Sequence, residues 1–229
     1  MNHYLIECCA NSIQSAINGE KGGSNRIELC ADLELGGLTP HRKDILKTKK
    51  VLNIPIYVLI RPRDGDFVYS QNELSKMLSD IQFCKKIGCD GVVIGALNKN
   101  GSIHIEQTIR LANAAKPMSV TFHRAFDEGN DLRKNLEDVI ACGCDSLLTA
   151  GQSENINSGI SNLKQLVTLA KGKILILAGS GMNHTNAEAL YKIGIRNFHL
   201  SGSIKNLKGE LETDSLLIKK MKDKLDQIV

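Results

Sequence analysis

The sequence contains no tryptophan, and aromatic residues make up only 4% of its 229 positions. Its core must therefore rest on Ile, Leu, Val and Ala, the usual filling of parallel sheets covered on both faces. Proline is scarce, at four residues, and no Pro/Ser-rich linker or compositional break divides the chain, so residues 1–229 are expected to form one domain. No apolar run approaches the ~18 residues of a membrane span. The opening MNHYLIECCANS lacks a basic region followed by a long apolar stretch, so no membrane partner is expected and the expected location is cytoplasmic. Blocks of like charge are missing too. The net charge of +4 is dispersed, and the nearest approach to a basic cluster, Lys219 to Lys224, contains Met221 and Asp223. A nucleic-acid partner is not indicated. The chain has no C-x-x-C, Walker A or H-E-x-x-H pattern, and no lysine stands at an inward strand position to form a Schiff base. No organic cofactor is expected. Cysteine is present, but its odd count of seven in a chain this long fits reduced thiols rather than a disulfide framework.

What the chain does have is rhythm. CKKIGCDGVVIG (84–95), VIACGCDSLLTAG (139–151) and LYKIGIRNFHLSG (190–202) each read as a helix end, a glycine able to turn left-handed (Gly88, Gly143, Gly194), a strand and a closing glycine. NGEKGGSNRIELC (18–30) is a looser copy. With the other apolar runs this predicts strands near 4–9, 26–30, 55–60, 91–95, 118–123, 145–150, 174–178 and 196–201. Between them lie helical patterns. NELSKMLSDIQFCKKI (72–87) gathers Leu74, Met77, Leu78, Ile81 and Ile87 on one face with Asn72 as N-cap, and the final segment aligns Leu217, Met221, Leu225 and Ile228. Eight strands alternating with helices predict an α/β fold, a single TIM-type (β/α)8 barrel, compact beside the usual ~250 residues.

Period-two counting assigns the interior. Strands one and two share the pattern I-E-x-C, and the outer face of a barrel strand must be aliphatic to meet its helices. Ile6, Cys8, Ile27 and Leu29 therefore face out, while Glu7, Cys9, Glu28 and Cys30 face in. The same parity sends Arg61, Thr121, His123, Thr149, His199 and Ser201 inward. IPIYVLI opens into RPRDGDF (61–67), and MSVTFHRAFD (118–127) breaks from apolar strand straight into His123, Arg124 and Asp127. Ligands of such folds sit at the carboxyl ends of the strands. After strands seven and eight, GSGMN (179–183), with Thr185 as a cap, and SGS (201–203) are suited either to an anion or simply to tight turns.

The blocks RIELC (26–30), GGLTP (36–40), IRPRDGDFVYS (60–70), TFHRAFD (121–127) and LLTAGQ (147–152) resemble the signature segments of the CutC family, the copper homeostasis proteins. The resemblance spans roughly residues 5 to 203 and implies a TIM-type barrel, a cytoplasmic setting and proposed Cu(I) binding at Cys9 and Cys30. This chain departs from the family pattern at Leu35, where an acid is usual, and in a shorter tail after strand eight. Thiolates suit Cu(I), and neighbouring parallel strands lie ~4.8 Å apart, so two inward thiols can share one ion, with His123 or His199 assisting; the same cysteines also suit plain packing of the barrel mouth. Cys8 faces a helix. Cys84, Cys89, Cys142 and Cys144 fall near helix-to-strand turns on the opposite end.

A second reading uses the same mouth as the active site of an isomerase or lyase. Glu7 and Glu28 would act as paired acid and base, His123 would shuttle a proton, and a small phosphorylated or anionic metabolite would be held by Arg61, Arg63, Arg124, Asp127, Thr149, Gly179, Gly181, His199, Ser201 and Gly202. The plainer alternative is an ion-pair lattice of Glu7 and Glu28 with Arg61, Arg63 and Arg124. GDFVYS (65–70) suits either a homodimer contact or a loop folded over its own barrel mouth.

Overall fold

The computed structural model of the chain describes residues 4–229. Eight parallel strands, β1 (Leu5–Ala10), β2 (Arg26–Leu29), β3 (Ile56–Leu59), β4 (Gly91–Ile94), β5 (Ser119–Phe122), β6 (Ser146–Thr149), β7 (Leu175–Ala178) and β8 (Asn197–Leu200), pair in sequence order. β8 closes the barrel against β1 through Glu7↔His199 and Cys8↔Leu200. Each strand lies within one residue of its expected bounds. The helices are α1 (Ile13–Gly22), α2 (Arg42–Val51), α3 (Gln71–Lys86), α4 (Ile105–Ala115), α5 (Leu132–Ala141), α6 (Ile160–Ala170), α7 (Ala187–Lys192) and α8 (Ser215–Ile228).

Strand parity sorts the side chains into two apolar groups. Ile6, Cys8, Ile27, Leu29, Ile56 and Val58 join the large core beneath the helices. Cys9, Cys30, Tyr57, Leu59 and Val93 form a separate, smaller cluster inside the barrel. Cys8 does face a helix: a Cβ on Gly19 of α1 would stand 2.8 Å from its sulfur. Gly88, Gly143 and Gly194 hold the left-handed conformation that their repeated position requires, at φ 75°, 81° and 100°. The repeats carry a further device. Asp90 accepts the N–H of Ile56, Asp145 that of Val120, and Asn25 that of Ile6. The residue leading into each of β2, β4 and β6 thus binds an N–H at or next to the start of the strand before it, satisfying a buried edge group that would otherwise have no partner.

Local details differ from expectation in four places. α3 is capped by Ser70, which forms a capping box with Glu73, rather than by Asn72. The buried stripe of α8 is Ile218, Met221 and Leu225, with Leu217 only half-buried. Thr185 does not cap α7; its N–H and hydroxyl both donate to Asn183 Oδ1. After the barrel closes, the chain forms a hairpin of β9 (Ser203–Lys205) and β10 (Leu211–Thr213) before α8. These strands are too short and polar to show period-two patterning, and their turn is organised by Asn206 Oδ1, which accepts the N–H groups of Lys208 and Glu210. Among the described residues no helix is long and apolar enough to cross a membrane.

Candidate functional site

The carboxyl ends of the strands open into a cavity of about 450 Å³ lined by Cys9, Glu28, Cys30, Arg61, His123, Arg124, Ser180, Gly181, His199 and Ser201. That volume falls in the range of sites for small ligands. On one wall, β1 and β2 pair Cys9 with Glu28, and Cys30 follows one residue past the strand with its N–H donated to Ala10. This register sets the two sulfurs 3.8 Å apart. Both thiols are free and buried.

Behind the thiols lies a buried chain of charges. Arg26 Nε donates to Glu7 Oε2, Glu7 Oε1 meets His199 Nδ1 at 2.7 Å, and His199 Nε2 lies 3.4 Å from Glu28 Oε2. The Arg26 guanidinium also stacks 4.1 Å from the centre of the Tyr57 ring. The carboxyl groups are driven in opposite directions. Burial pushes Glu7 up, but the Arg26 and His199 charges outweigh it and hold Glu7 below the usual carboxylate range. Glu28 is raised, chiefly by burial, with His199 opposing and the Glu7 charge adding. Burial opposes the imidazolium of His199, yet Glu28, Cys9 and Glu7 raise it well above the ordinary value. Cys9 is raised by its contact with Cys30 and by burial. Ligand atoms of Cys9, Glu28 and His199 lie within 4.8 Å of one another.

The expected lattice of Glu7 and Glu28 with Arg61, Arg63 and Arg124 is not what forms. Arg26 holds Glu7 instead, and period-two parity carried two residues back from Glu28 marks Arg26 as inward. Arg63 turns away from the cavity to Glu73, Asp66 and the Val68 carbonyl. Arg124 reaches the mouth while bonded to Asp127. The inward assignment of Thr149 does not hold: β5 pairs Thr121 with Ser146, which puts Leu148 rather than Thr149 on the inner face of β6, and Leu148 lines the cavity. Asp127 also lies outside the lining; it accepts from the Thr149 hydroxyl and from the N–H groups of Ala150 and Gln152, which fixes the loop after β6. Gly179 and Gly202 likewise stand behind the lining. A Cβ on Gly179 would press Leu148 and His199, and Gly202 (φ 54°) packs on Ile218.

His123 lines the cavity but is not placed as a proton shuttle. Its Nδ1 accepts the N–H of Ala125 at 3.1 Å, and burial followed by the Arg61 charge lowers its pKa to about 3. GDFVYS folds over its own barrel: Phe67 packs beside Arg61 and His123, and Tyr69 is buried. Besides Phe67, the lining residues that sequence patterns did not mark include Leu59, Leu148 and Leu200 on strands, and Leu33, Gly36, Gly37, Glu128 and Met182. The latter group lies in loops and short 3-10 turns, where no periodicity indicates direction.

Fold and site together define an eight-stranded TIM-type barrel whose mouth carries paired thiols backed by a carboxylate–histidine network. The CutC family model matches residues 4–204. A CutC family protein of Bacteroides fragilis is 45% identical over 203 residues, which is 88% of this chain and 81% of the relative. The mouse copper homeostasis protein cutC homolog is 40% identical over 201 residues, covering 87% of this chain and 74% of its own. A Streptococcus agalactiae protein solved as a candidate copper homeostasis protein CutC superposes with a TM-score of 0.82 at 32% identity, covering 86% of this chain and 98% of that one. The chain belongs to the CutC family.

Proposed function

We propose that this protein takes part in copper homeostasis in the cytoplasm by binding Cu(I) at the barrel mouth through Cys9 and Cys30. The observation carrying this reading is the pair of free sulfurs 3.8 Å apart. That separation is less than twice a ~2.3 Å metal–thiolate bond, so one soft ion can touch both. His199 is suited to assist. With Nδ1 held by Glu7, its Nε2 is left facing Glu28, the arrangement in which a carboxylate orients a metal-binding imidazole. Binding would release protons from the raised thiol of Cys9 and from His199, so affinity should increase with pH. The seven free thiols support a reducing compartment.

The test is anaerobic titration of Cu(I) in competition with a Cu(I) chelator. The parent protein should hold one ion, and the Cys9→Ser/Cys30→Ser double variant should lose that binding. Equal binding by a folded double variant would remove these residues as ligands.

A further inference from the structure

We propose that the same cavity contains a second subsite, separate from the thiol pair, that binds a small organic oxyanion, a carboxylate or a phosphate ester, through Arg61 and His123. The inference does not depend on the copper reading.

Arg61 and Arg26 are the buried arginines among the described residues, and their surroundings differ. Arg26 has Glu7. Arg61, only 6% exposed, donates to the backbone carbonyls of Leu35, Gly37 and Gly65, has no carboxylate within ion-pair distance, and its Nε has no acceptor. A buried cation faced only by carbonyl dipoles keeps most of its charge uncompensated, and a guanidinium edge is the protein group best shaped for a carboxylate or phosphate.

His123 supplies a second, independent indication. Because its Nδ1 accepts a backbone N–H, the proton of the neutral ring must sit on Nε2. That Nε2–H is buried, and no group of the protein accepts it. It is therefore a neutral donor waiting for an acceptor, and the same geometry removes it from the list of metal ligands, since a metal would need the Nε2 lone pair. The phenyl ring of Phe67 joins the two donors, lying 4.9 Å from the Arg61 guanidinium and 5.0 Å from the His123 ring. Glu28, the buried carboxyl of this cavity, is engaged by His199 and so does not neutralise Arg61. Across the opening, Ser180 and Gly181 both take left-handed conformations (φ 85° and 75°) in a turn held by Glu154 and Ile156. The cavity is larger than a bare ion needs, which leaves space for the body of an organic molecule.

The experiment is calorimetric titration of the metal-free protein with inorganic phosphate and, separately, with succinate, each to about 10 mM at constant ionic strength. At least one should bind: phosphate alone would assign a phosphate ester, succinate alone a carboxylate. Arg61→Gln and His123→Phe should each weaken that binding by about tenfold or more, while Cu(I) affinity of the His123→Phe protein stays at the parent value. Should Arg61→Gln fail to fold, His123→Phe decides alone. No binding of either anion by the parent protein, or equal binding by folded His123→Phe, would overturn the proposal whatever the outcome with copper.

Discussion

A histidine buried beside an unpaired arginine is kept neutral by two effects of the same sign, loss of hydration and repulsion. For His123 these bring the pKa from 6.5 to about 3, which has a consequence for stability. Below pH 6.5 the unfolded chain takes up a proton that the folded chain refuses, so stability is complete above that value and falls as the solution is acidified towards pH 3. The loss expected from this one residue is about 3 kcal/mol by pH 4. His199 has the opposite sign: its raised pKa contributes stability that is present below pH 6.5 and fades as the pH rises through the folded value. Urea unfolding of the parent and of His123→Phe at pH 7.5 and pH 4 separates the two. The variant should lose about 3 kcal/mol less on acidification; parallel losses would mean that His123 is protonated in the folded state. That His123 lines the cavity could be anticipated from strand parity. Its protonation could not, because the Ala125 N–H and the Arg61 charge come from elsewhere in the backbone and from another strand.

Among the elements, α3 shows how little sequence decides a boundary. Asn72 and Ser70 are both acceptable N-caps by residue type, and the choice falls on Ser70 because Glu73, three positions on, returns a bond to the Ser70 N–H. Glu73 also receives Arg63, so its carboxyl is held down at about 2, first by the Ser70 backbone and side chain and then by that guanidinium. This cap is therefore joined to the loop after β3, and it is the reason Arg63 is directed away from the cavity. Replacing Ser70 with Ala should cost about 1 kcal/mol, measured by chemical denaturation, whereas Asn72→Ala should be nearly neutral. Strands were far more legible than caps. Every barrel strand could be located within a residue because a parallel strand covered by helices must be aliphatic on its outer face, whatever loop follows it. The β9–β10 hairpin escaped notice because its two strands, of three residues each, fully bury only Thr213 between them and so carry no such pattern.

For the whole molecule, closure brings β1 and β8 together and with them Glu7 and His199, which are 192 residues apart in the chain. The charged network is therefore formed only when the barrel is complete, and a ligand bound there should stabilise the closed barrel as a unit. Cu(I) at a free concentration 100 times its dissociation constant should add about 2.7 kcal/mol to the unfolding free energy. Anaerobic thermal unfolding of loaded and metal-free protein would reveal the increase as a higher Tm, and the Cys9→Ser/Cys30→Ser variant should show none. A gain that survived in that variant would mean that copper binds elsewhere on the barrel.

The sequence by itself determined the barrel, the strand positions and most of the side chains that enter it, since these follow from local periodicity and from the need to bury an aliphatic face against helices. In β6, where both faces are apolar or neutral, it marked Thr149 where the register turns Leu148 inward. It also carried the motifs of the CutC family. Only the tertiary structure decided what those inward residues do. It set Cys9 and Cys30 at 3.8 Å, gave Glu7 to Arg26 rather than to Arg61, and left Arg61 buried without a carboxylate. Pairings of this kind depend on the stagger between strands and on the paths of loops, and both are fixed by contacts between residues far apart in the chain.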